Sequence, residues 1–360
     1  MRTSQNNGQN LAFWGTTPFA ASILLHLHEA SINLYSSPDE KEGRQEKTRS
    51  SATLPPLPHE DQREQTTLSP PPLVVITTPD KKGNRGKKTQ SAVAQTARHL
   101  SLSVLQPESL DNVFFDYFSQ TRCALSIVVA YGKILPARFI KHPACGTINI
   151  HTSLLPRYRG ASPVQAALLN GDTETGITLM RMDEKMDHGP IIAQKRLALL
   201  PDDTPESVFQ RMTPLAISLL EHYLPKILAG TAPENPQDHS KASYTKLLTR
   251  TNGCIDWTMP ALAIERMVRA FTPWPGAYSF LENKRVKILK CGVTKDSHAD
   301  SSPGTLIEYK QQGQKPNLAV ATGGGILVLY TIQQEGKEPQ DAQVVYATQP
   351  TIIGRVLQSQ

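Results

Sequence analysis

The stretch INIHTSLLPRYRG, residues 148–160, holds the residue types best suited to chemistry. An apolar, β-branched run ends in Asn149 and His151, and alternate residues of a strand point to the same side. An amide and an imidazole on one side can polarise a carbonyl group and stabilise the oxyanion that forms when a nucleophile attacks it. A polar strand end that only satisfies its own hydrogen bonds is the alternative, and the pair alone does not decide between the two.

The loop MDEKMDHGPI supplies carboxylates that could orient the imidazole, namely Asp183, Glu184 and Asp187. Asp187 precedes a His-Gly-Pro turn that would hold its carboxylate in a fixed loop, although a purely turn-forming aspartate is the alternative. The imidazole and this loop offer no third ligand at a recognised spacing, so we expect no metal site. The sequence also lacks G-x-S-x-G and G-x-G-x-x-G, which argues against a serine nucleophile elbow and a dinucleotide site.

Alternating strands and helices place Asn149 and His151 at the carboxyl end of a strand. LAFWG, LVVITT and GTINIH read as buried strands, and the helices between them complete βα units (11–15, 73–78 and 146–151 for the strands). Ligands of open α/β sheets bind at the carboxyl ends of the strands. We therefore predict an α/β, Rossmann-like domain with a mostly parallel sheet and helices on both faces.

Composition divides the chain into two domains. We predict a catalytic domain at 1–228, a polar and Pro-rich linker at 229–243, and a second domain at 244–360. Short apolar runs separated by turns at roughly 8–12-residue spacing indicate a small β-barrel or sandwich in the second domain, and we predict an OB-like β-barrel. Residues 36–72 hold too few apolar side chains to offset the entropy of ordering, so we expect a disordered insertion there.

Charge and cysteine content limit the class of protein. The formal net charge is +6, and residues 241–360 carry 14 Lys and Arg against 9 Asp and Glu, so the basic bias lies in the last third. The four cysteines are scattered without a CxxC pair, which is typical of reduced thiols in a cytoplasmic protein. No apolar run approaches the ~20 residues that a membrane span needs. We expect a cytoplasmic protein with no membrane partner.

The stretch from residue 148 to residue 191 resembles the signature core of the formyltransferases that use 10-formyltetrahydrofolate. Four further segments resemble the members that act on initiator methionyl-tRNA: GTTPFAA (15–21), TPDKKGNRGKK (78–88), VVAYGKILP (128–136) and IDWTMPALAIERMVRAFTPWPGAY (255–278). The similarity covers nearly the whole chain except 31–72 and the last few residues. The chain departs from the family at Lys185-Met186, where Gly-Leu or a similar pair is usual, and in the insertion at 36–72.

The resemblance implies a formyltransferase fold, a catalytic trio of Asn149, His151 and Asp187, and 10-formyltetrahydrofolate as the formyl donor, without a metal. It implies a folate site built from an SLLP turn and a YGKIL segment, whose residues are Ser153, Leu154, Leu155 and Pro156, and Tyr131, Gly132, Ile134 and Leu135. Apolar walls and backbone hydrogen bonds suit a flat heterocycle. The alternative is that the two leucines of SLLP are only core residues.

The resemblance also implies that initiator methionyl-tRNA is the partner. Nothing in the sequence demands a dimer, so we expect a monomer. In the family the loop matching residues 79–88 inserts against the acceptor end of the tRNA with an arginine at the position of Arg85, and the other cations here are Lys81, Lys82, Lys87 and Lys88. The basic second domain would follow phosphates further along the acceptor arm. A solvated charge run is the alternative for the loop, and Arg157 and Arg159 could contact either carboxylates or tRNA phosphate.

Two other classes of function stay open at this point. A formyltransferase acting on glycinamide ribonucleotide or an amino sugar, or a hydrolase acting on water, would share the trio but would not need the GNRGKK loop or the FTPWPGA segment. A nucleic-acid-binding protein on a retired enzyme fold would have no physical reason to keep three polar groups at one place. We therefore expect formyl transfer to the α-amino group of methionyl-tRNA.

Overall fold

The structure, a computed structural model, describes residues 10–35, 73–82, 88–294, 301–311, 313 and 315–359. The insertion expected at 36–72 lies outside the described residues. The chain divides into two compact units, of which the first comprises Met1–Ile150, Met180–Glu184 and Leu220–Ala232, and the second comprises His151–Leu179, Lys185–Leu219 and Pro233–Gln360.

The first unit is built on a parallel sheet. Its elements in chain order are β1 (Leu11–Gly15), α1 (Pro18–Tyr35), β2 (Leu73–Ile76), β3 (Lys81–Lys82), β4 (Lys88–Thr89), α2 (Ala92–His99), β5 (Ser103–Leu105), α3 (Asn112–Ser119), β6 (Leu125–Val129), α4 (Ala137–Lys141) and β7 (Thr147–His151). Five strands lie in the order β7, β6, β1, β2, β5, and their ladders are parallel. The predicted α/β class is confirmed.

Local sequence explains why the first βα unit forms. All five residues of β1 are buried, as expected for a parallel strand covered on both faces. The Thr17 hydroxyl accepts a hydrogen bond from the Ala20 N–H at 3.3 Å, and Pro18 occupies the first position of α1, where no N–H is needed. Trp14 then anchors the core: its ring lies edge-on to Phe118 at 5.2 Å and to Phe139 at 5.8 Å.

The chain continues with the elements that carry the candidate site. They are β8 (Arg159–Gly160), α5 (Pro163–Asn170), β9 (Glu174–Arg181), β10 (Ile191–Ala198), α6 (Pro205–Leu228), β11 (Tyr244–Thr245) and α7 (Ala261–Ala270). Gly171 ends α5 with a φ of 67°, the left-handed conformation that glycine adopts without strain. Strands β8 and β11 pair in parallel, Arg159 with Tyr244 and Gly160 with Thr245.

An antiparallel barrel forms the end of the second unit. Its elements are β12 (Ala277–Leu281), β13 (Lys284–Thr294), β14 (Leu306–Tyr309), β15 (Asn317–Ala321), β16 (Ile326–Gln334), β17 (Gln340–Asp341) and α8 (Ala342–Thr348). The strand order is β12-β13-β16-β15-β14. Residues 355–358 bridge the two edges, because Val356 pairs with Thr305 and Gln358 pairs with Phe280. This segment closes the sheet into the barrel that the sequence predicts.

Leu357 provides a test of that closure. It is 3% exposed and lines the barrel interior with Leu281, Leu306 and Ile352, whereas its neighbour Val356 is 45% exposed. We expect Leu357→Ala to lower the free energy of unfolding by about 2–5 kcal/mol, because it removes buried methyl groups and leaves a cavity. The measurement is the shift of the urea midpoint followed by Trp257 fluorescence, with Val356→Ala as the matched control. Equal shifts for the two variants would contradict the closure.

The described part of the chain contains no helix that is both long and apolar enough to cross a membrane. All four cysteines are free thiols.

Candidate active site

The carboxyl end of β7 carries the two polar side chains that the sequence predicts there. Asn149 is 9% exposed and His151 is 6% exposed, and they occupy alternate positions of the strand. Asn149 stands opposite Val128 in the ladder with β6. Two buried polar groups at a strand end require hydrogen-bond partners. The partners of the imidazole show which of its ring nitrogens carries a hydrogen.

His151 is held by a backbone carbonyl and faces a carboxylate. Its Nε2 lies 2.9 Å from the carbonyl oxygen of Tyr158, and because a carbonyl only accepts, Nε2 carries a hydrogen and donates it. Its Nδ1 lies 3.6 Å from Oδ2 of Asp187. That separation is longer than a hydrogen bond, so the contact is electrostatic. Nδ1 is therefore the nitrogen that can take up or release a proton beside Asp187.

The Asp187 carboxylate is fixed by the backbone of β8. Its Oδ2 accepts a hydrogen bond from the Gly160 N–H at 2.7 Å. Gly160 has a φ of 110°, and a Cβ at this position would collide with the Thr245 carbonyl oxygen of β11. Only glycine tolerates both this φ and the close approach of the Thr245 carbonyl. The backbone conformation at Gly160 thereby brings its N–H to the Asp187 carboxylate.

Asp187 is the acidic residue of its loop that pairs with the imidazole. Glu184 is 58% exposed and forms an ion pair with Lys141, and Asp183 is half-buried. Asp187 is itself 13% exposed and has a φ of 48°, a conformation that residues other than glycine seldom adopt. The loop thus holds one acid in an unusual backbone conformation next to His151.

The two arginines of RYRG have different surroundings. Arg157 is 55% exposed, pairs with Asp172 at 3.0 Å and stacks on the Tyr158 ring at 4.9 Å. Arg159 is 1% exposed and donates to Gln237, His239 and Tyr244. Arg159 is therefore a buried structural cation, and Arg157 is the one that remains at the surface.

The SLLP residues form a packed turn after β7. The Ser153 hydroxyl, fully buried, donates to the Arg157 carbonyl at 2.6 Å. Leu155 is also buried, and its N–H donates to the Thr178 hydroxyl at 3.1 Å. Leu154 and Pro156 are half-buried.

The second predicted folate segment belongs to the first unit. Tyr131 and Leu135 are 2% and 5% exposed and lie in the core cluster around Trp14, whereas Ile134 is 79% exposed and Gly132 is exposed with a φ of 84°. Burial raises the pKa of Tyr131 to about 12. Its hydroxyl is buried and has no hydrogen-bond partner among the described residues.

The predicted tRNA loop is described only in part. Lys81 and Lys82 form β3, which pairs antiparallel with β4, and Lys88 is exposed at the start of β4. Arg85 and Lys87 lie outside the described residues.

Sequence reasoning missed Gln237 and His239, which lie in the Pro-rich segment predicted as a linker. Gln237 is 6% exposed, and the segment is fixed to the start of β10 because Asn235 and Ile191 exchange both backbone hydrogen bonds at 2.8 and 2.9 Å. Composition gave no signal for either residue, since proline and polar side chains are equally typical of a solvated connection.

Comparisons with known proteins agree with this arrangement. The family described as "Formyl transferase" matches residues 59–223, and "Formyl transferase, C-terminal domain" matches residues 247–350. Two crystal structures share the fold at 16% identity. One is a sugar 3N-formyl transferase, WlaRD, with dTDP and 5-N-formyl-THF (TM-score 0.57, covering 92% of this chain and 99% of that one). The other is an N-formyltransferase from Helicobacter canadensis with folinic acid and dTDP-3-aminofucose (TM-score 0.56, covering 89% and 97%).

The fold and the two matched domains define the class of protein, a formyl transferase. Curated relatives narrow it further: the methionyl-tRNA formyltransferase of Roseiflexus castenholzii is 44% identical over 270 residues (74% of this chain and 85% of that protein), and that of Myxococcus xanthus is 39% identical over 267 residues (74% and 83%). The chain belongs to the family of methionyl-tRNA formyltransferases.

Proposed function

We propose that this enzyme transfers the formyl group of 10-formyltetrahydrofolate to the α-amino group of methionine carried by initiator methionyl-tRNA. The neutral amine attacks the formyl carbon, a C–N bond forms, and the carbonyl oxygen becomes an oxyanion. Collapse of this intermediate breaks the bond between the formyl carbon and N10. One proton leaves the attacking amine and one arrives at N10, so the products are formylmethionyl-tRNA and tetrahydrofolate.

The observation that carries the proposal is the His151–Asp187 pair, with Asn149 two residues earlier on the same strand. The Asn149 amide supplies N–H donors for the oxyanion. The imidazole donates through Nε2 to the Tyr158 carbonyl, so Nδ1 is the ring nitrogen that faces Asp187. Asp187 holds His151, which helps to stabilise the oxyanion, and assists the removal of the proton from the amine.

Two segments are assigned to folate, each by its own resemblance: the SLLP turn, and separately the segment from Tyr131 to Leu135. Support comes from the resemblance of these residues to the pterin site of the family. In SLLP the buried side chains of Ser153 and Leu155 shape the turn. In the segment from Tyr131 to Leu135 the exposed Ile134 offers apolar surface. The folate compounds in the two crystal structures with this fold suit the same donor class.

The tRNA is assigned to the loop that contains Lys81, Lys82, Arg85, Lys87 and Lys88, and to the basic second domain. Lys284, Arg285 and Lys290 are exposed on β13 of the barrel and add cations to that domain. Lysine and arginine side chains bind phosphates with a strong dependence on salt. We assign the enzyme to the cytoplasm and treat it as a monomer.

A comparison of acceptors tests the proposed reaction. The purified enzyme is incubated with 10-formyltetrahydrofolate and, in parallel, with initiator methionyl-tRNA, free methionine, an amino sugar nucleotide, glycinamide ribonucleotide, or no acceptor. We expect tetrahydrofolate release to depend on methionyl-tRNA, with a rate at least about 10³-fold above each other acceptor, because binding of the remote tRNA is used to position the reacting amine. Equal release without an acceptor would indicate a hydrolase and contradict the proposal.

A further inference from the structure

We propose that Gln237 is a positioning residue for Asp187: its side-chain amide fixes the backbone of the Asp187 loop, and buried Arg159 fixes that amide. The inference rests on the proposed function, in which Asp187 acts with His151. It assigns a role to a residue that lies 50 positions further along the chain, in a segment whose composition is that of a linker.

The Gln237 amide binds the loop on both sides of His188. Its Nε2 donates to the carbonyl oxygen of Asp187 at 2.9 Å and to that of Gly189 at 2.7 Å. Both N–H groups are therefore used on the backbone that carries the catalytic carboxylate. Together with the Gly160 N–H on Oδ2, they fix Asp187 through its main chain and its side chain.

The orientation of the amide follows from chemistry. Its oxygen accepts from Arg159 at Nη2 (2.6 Å) and at Nε (3.2 Å), and a guanidinium has only donors. A reversed amide would place its NH₂ against the guanidinium and its oxygen against two carbonyl oxygens. Arg159 thus selects the orientation in which Gln237 can hold the loop.

The Arg159 guanidinium has two further hydrogen-bond partners besides Gln237. Its Nη2 lies 2.9 Å from Nδ1 of His239, and its Nη1 donates to the Tyr244 hydroxyl at 3.3 Å. The His239 ring stacks on the ring of His188 with centroids 4.0 Å apart and an interplanar angle of 9°. Gln237 and His239 therefore contact the loop at three consecutive residues, Asp187, His188 and Gly189.

This support matters because the Asp187 backbone is in a rarely adopted conformation, with a φ of 48°. Such a conformation persists only where surrounding contacts determine it. Misplacement of a catalytic group by about 1 Å can cost roughly 100-fold in rate. Loss of the two amide hydrogen bonds would let Asp187 move relative to Nδ1 of His151 without removing either group.

Gln237→Glu is the decisive variant, because it keeps the size of the side chain and gives Arg159 a carboxylate partner, but places an oxygen against the two loop carbonyls. We expect kcat for formyl transfer to fall about 10- to 100-fold. The KM for methionyl-tRNA should stay within about two-fold, because Gln237 contacts neither substrate in this scheme. Gln210→Glu, the same change at an exposed position of α6, is the matched control.

A double-mutant cycle with Asp187→Asn distinguishes positioning from a general structural role. If Gln237 acts through Asp187, Gln237→Glu should lower kcat no further in the Asp187→Asn background. An undiminished loss in that background, or a kcat within two-fold of the Gln210→Glu control, overturns the inference. Full activity of Asp187→Asn alone would instead refute the proposed role of Asp187, so the two failures are distinguishable. Arg159→Lys, which keeps the charge but not the forked donors, should reproduce the Gln237→Glu phenotype.

Discussion

Replacement of Asp187 by asparagine is expected to lower kcat by about 10²- to 10⁴-fold, the range for removal of a general acid–base group. Asparagine has the same shape, and its side-chain oxygen can still accept the Gly160 N–H that now binds Oδ2 at 2.7 Å. What it loses is the negative charge 3.6 Å from Nδ1 of His151. The variant should therefore fold normally, bind both substrates, and fail in the proton transfer that accompanies attack by the amine.

Single-turnover formylation at saturating folate and tRNA measures this effect directly. Glu184→Gln is the matched control, because it neutralises an acid in the same loop that is 58% exposed and pairs with Lys141. An exposed ion pair of this kind contributes about 0–1 kcal/mol to stability, so the control should keep its rate. A rate for Asp187→Asn within a few-fold of the control would remove Asp187 from the catalytic scheme.

Asn149→Ala is expected to lower kcat by about 10²- to 10³-fold, the usual cost of removing one oxyanion donor. The amide is assigned to the charge that develops on the formyl oxygen, so its loss should leave the KM values nearly unchanged. Asn149 is 9% exposed in β7, and its backbone stays in the ladder opposite Val128 whatever the side chain.

Asn149→Asp sharpens this test, because it keeps the shape but places a negative charge where an oxyanion should form. Its rate should fall below that of the alanine variant. Asn112→Ala, an exposed asparagine at the start of α3, controls for the loss of an amide elsewhere in the first unit. A higher rate for Asn149→Asp than for Asn149→Ala would argue against an oxyanion at this position.

Local patterns in the sequence were enough to predict much of the fold. LAFWG is the strand Leu11–Gly15 without adjustment, and GTINIH, predicted as a strand at 146–151, forms the strand Thr147–His151. LVVITT, predicted as a strand at 73–78, forms the shorter strand Leu73–Ile76.

The site could be predicted only where its geometry is local. Asn149 and His151 share a strand, and a period of two is a property of neighbouring residues. The approach of Asp187 to His151 spans 36 positions: the residues alone offered Asp187 as one of three candidate carboxylates, and only the resemblance to a family singled it out. The sequence does not show that Arg159 is buried under Gln237, His239 and Tyr244. Nothing in a Pro-rich, polar stretch indicates that it packs against the Asp187 loop.

The two-residue pairing of β8 with β11 sets a limit on how the chain can be shortened. A fragment that stops at residue 228, where composition places the end of the catalytic domain, would lack Gln237 and would leave Gly160 without the Thr245 strand against which it packs. The smallest catalytic fragment that retains these contacts must extend through Thr245. On the proposed role of Gln237, the boundary for dissecting this enzyme therefore lies beyond the proline-rich segment, and a fragment cut before that segment should lose activity.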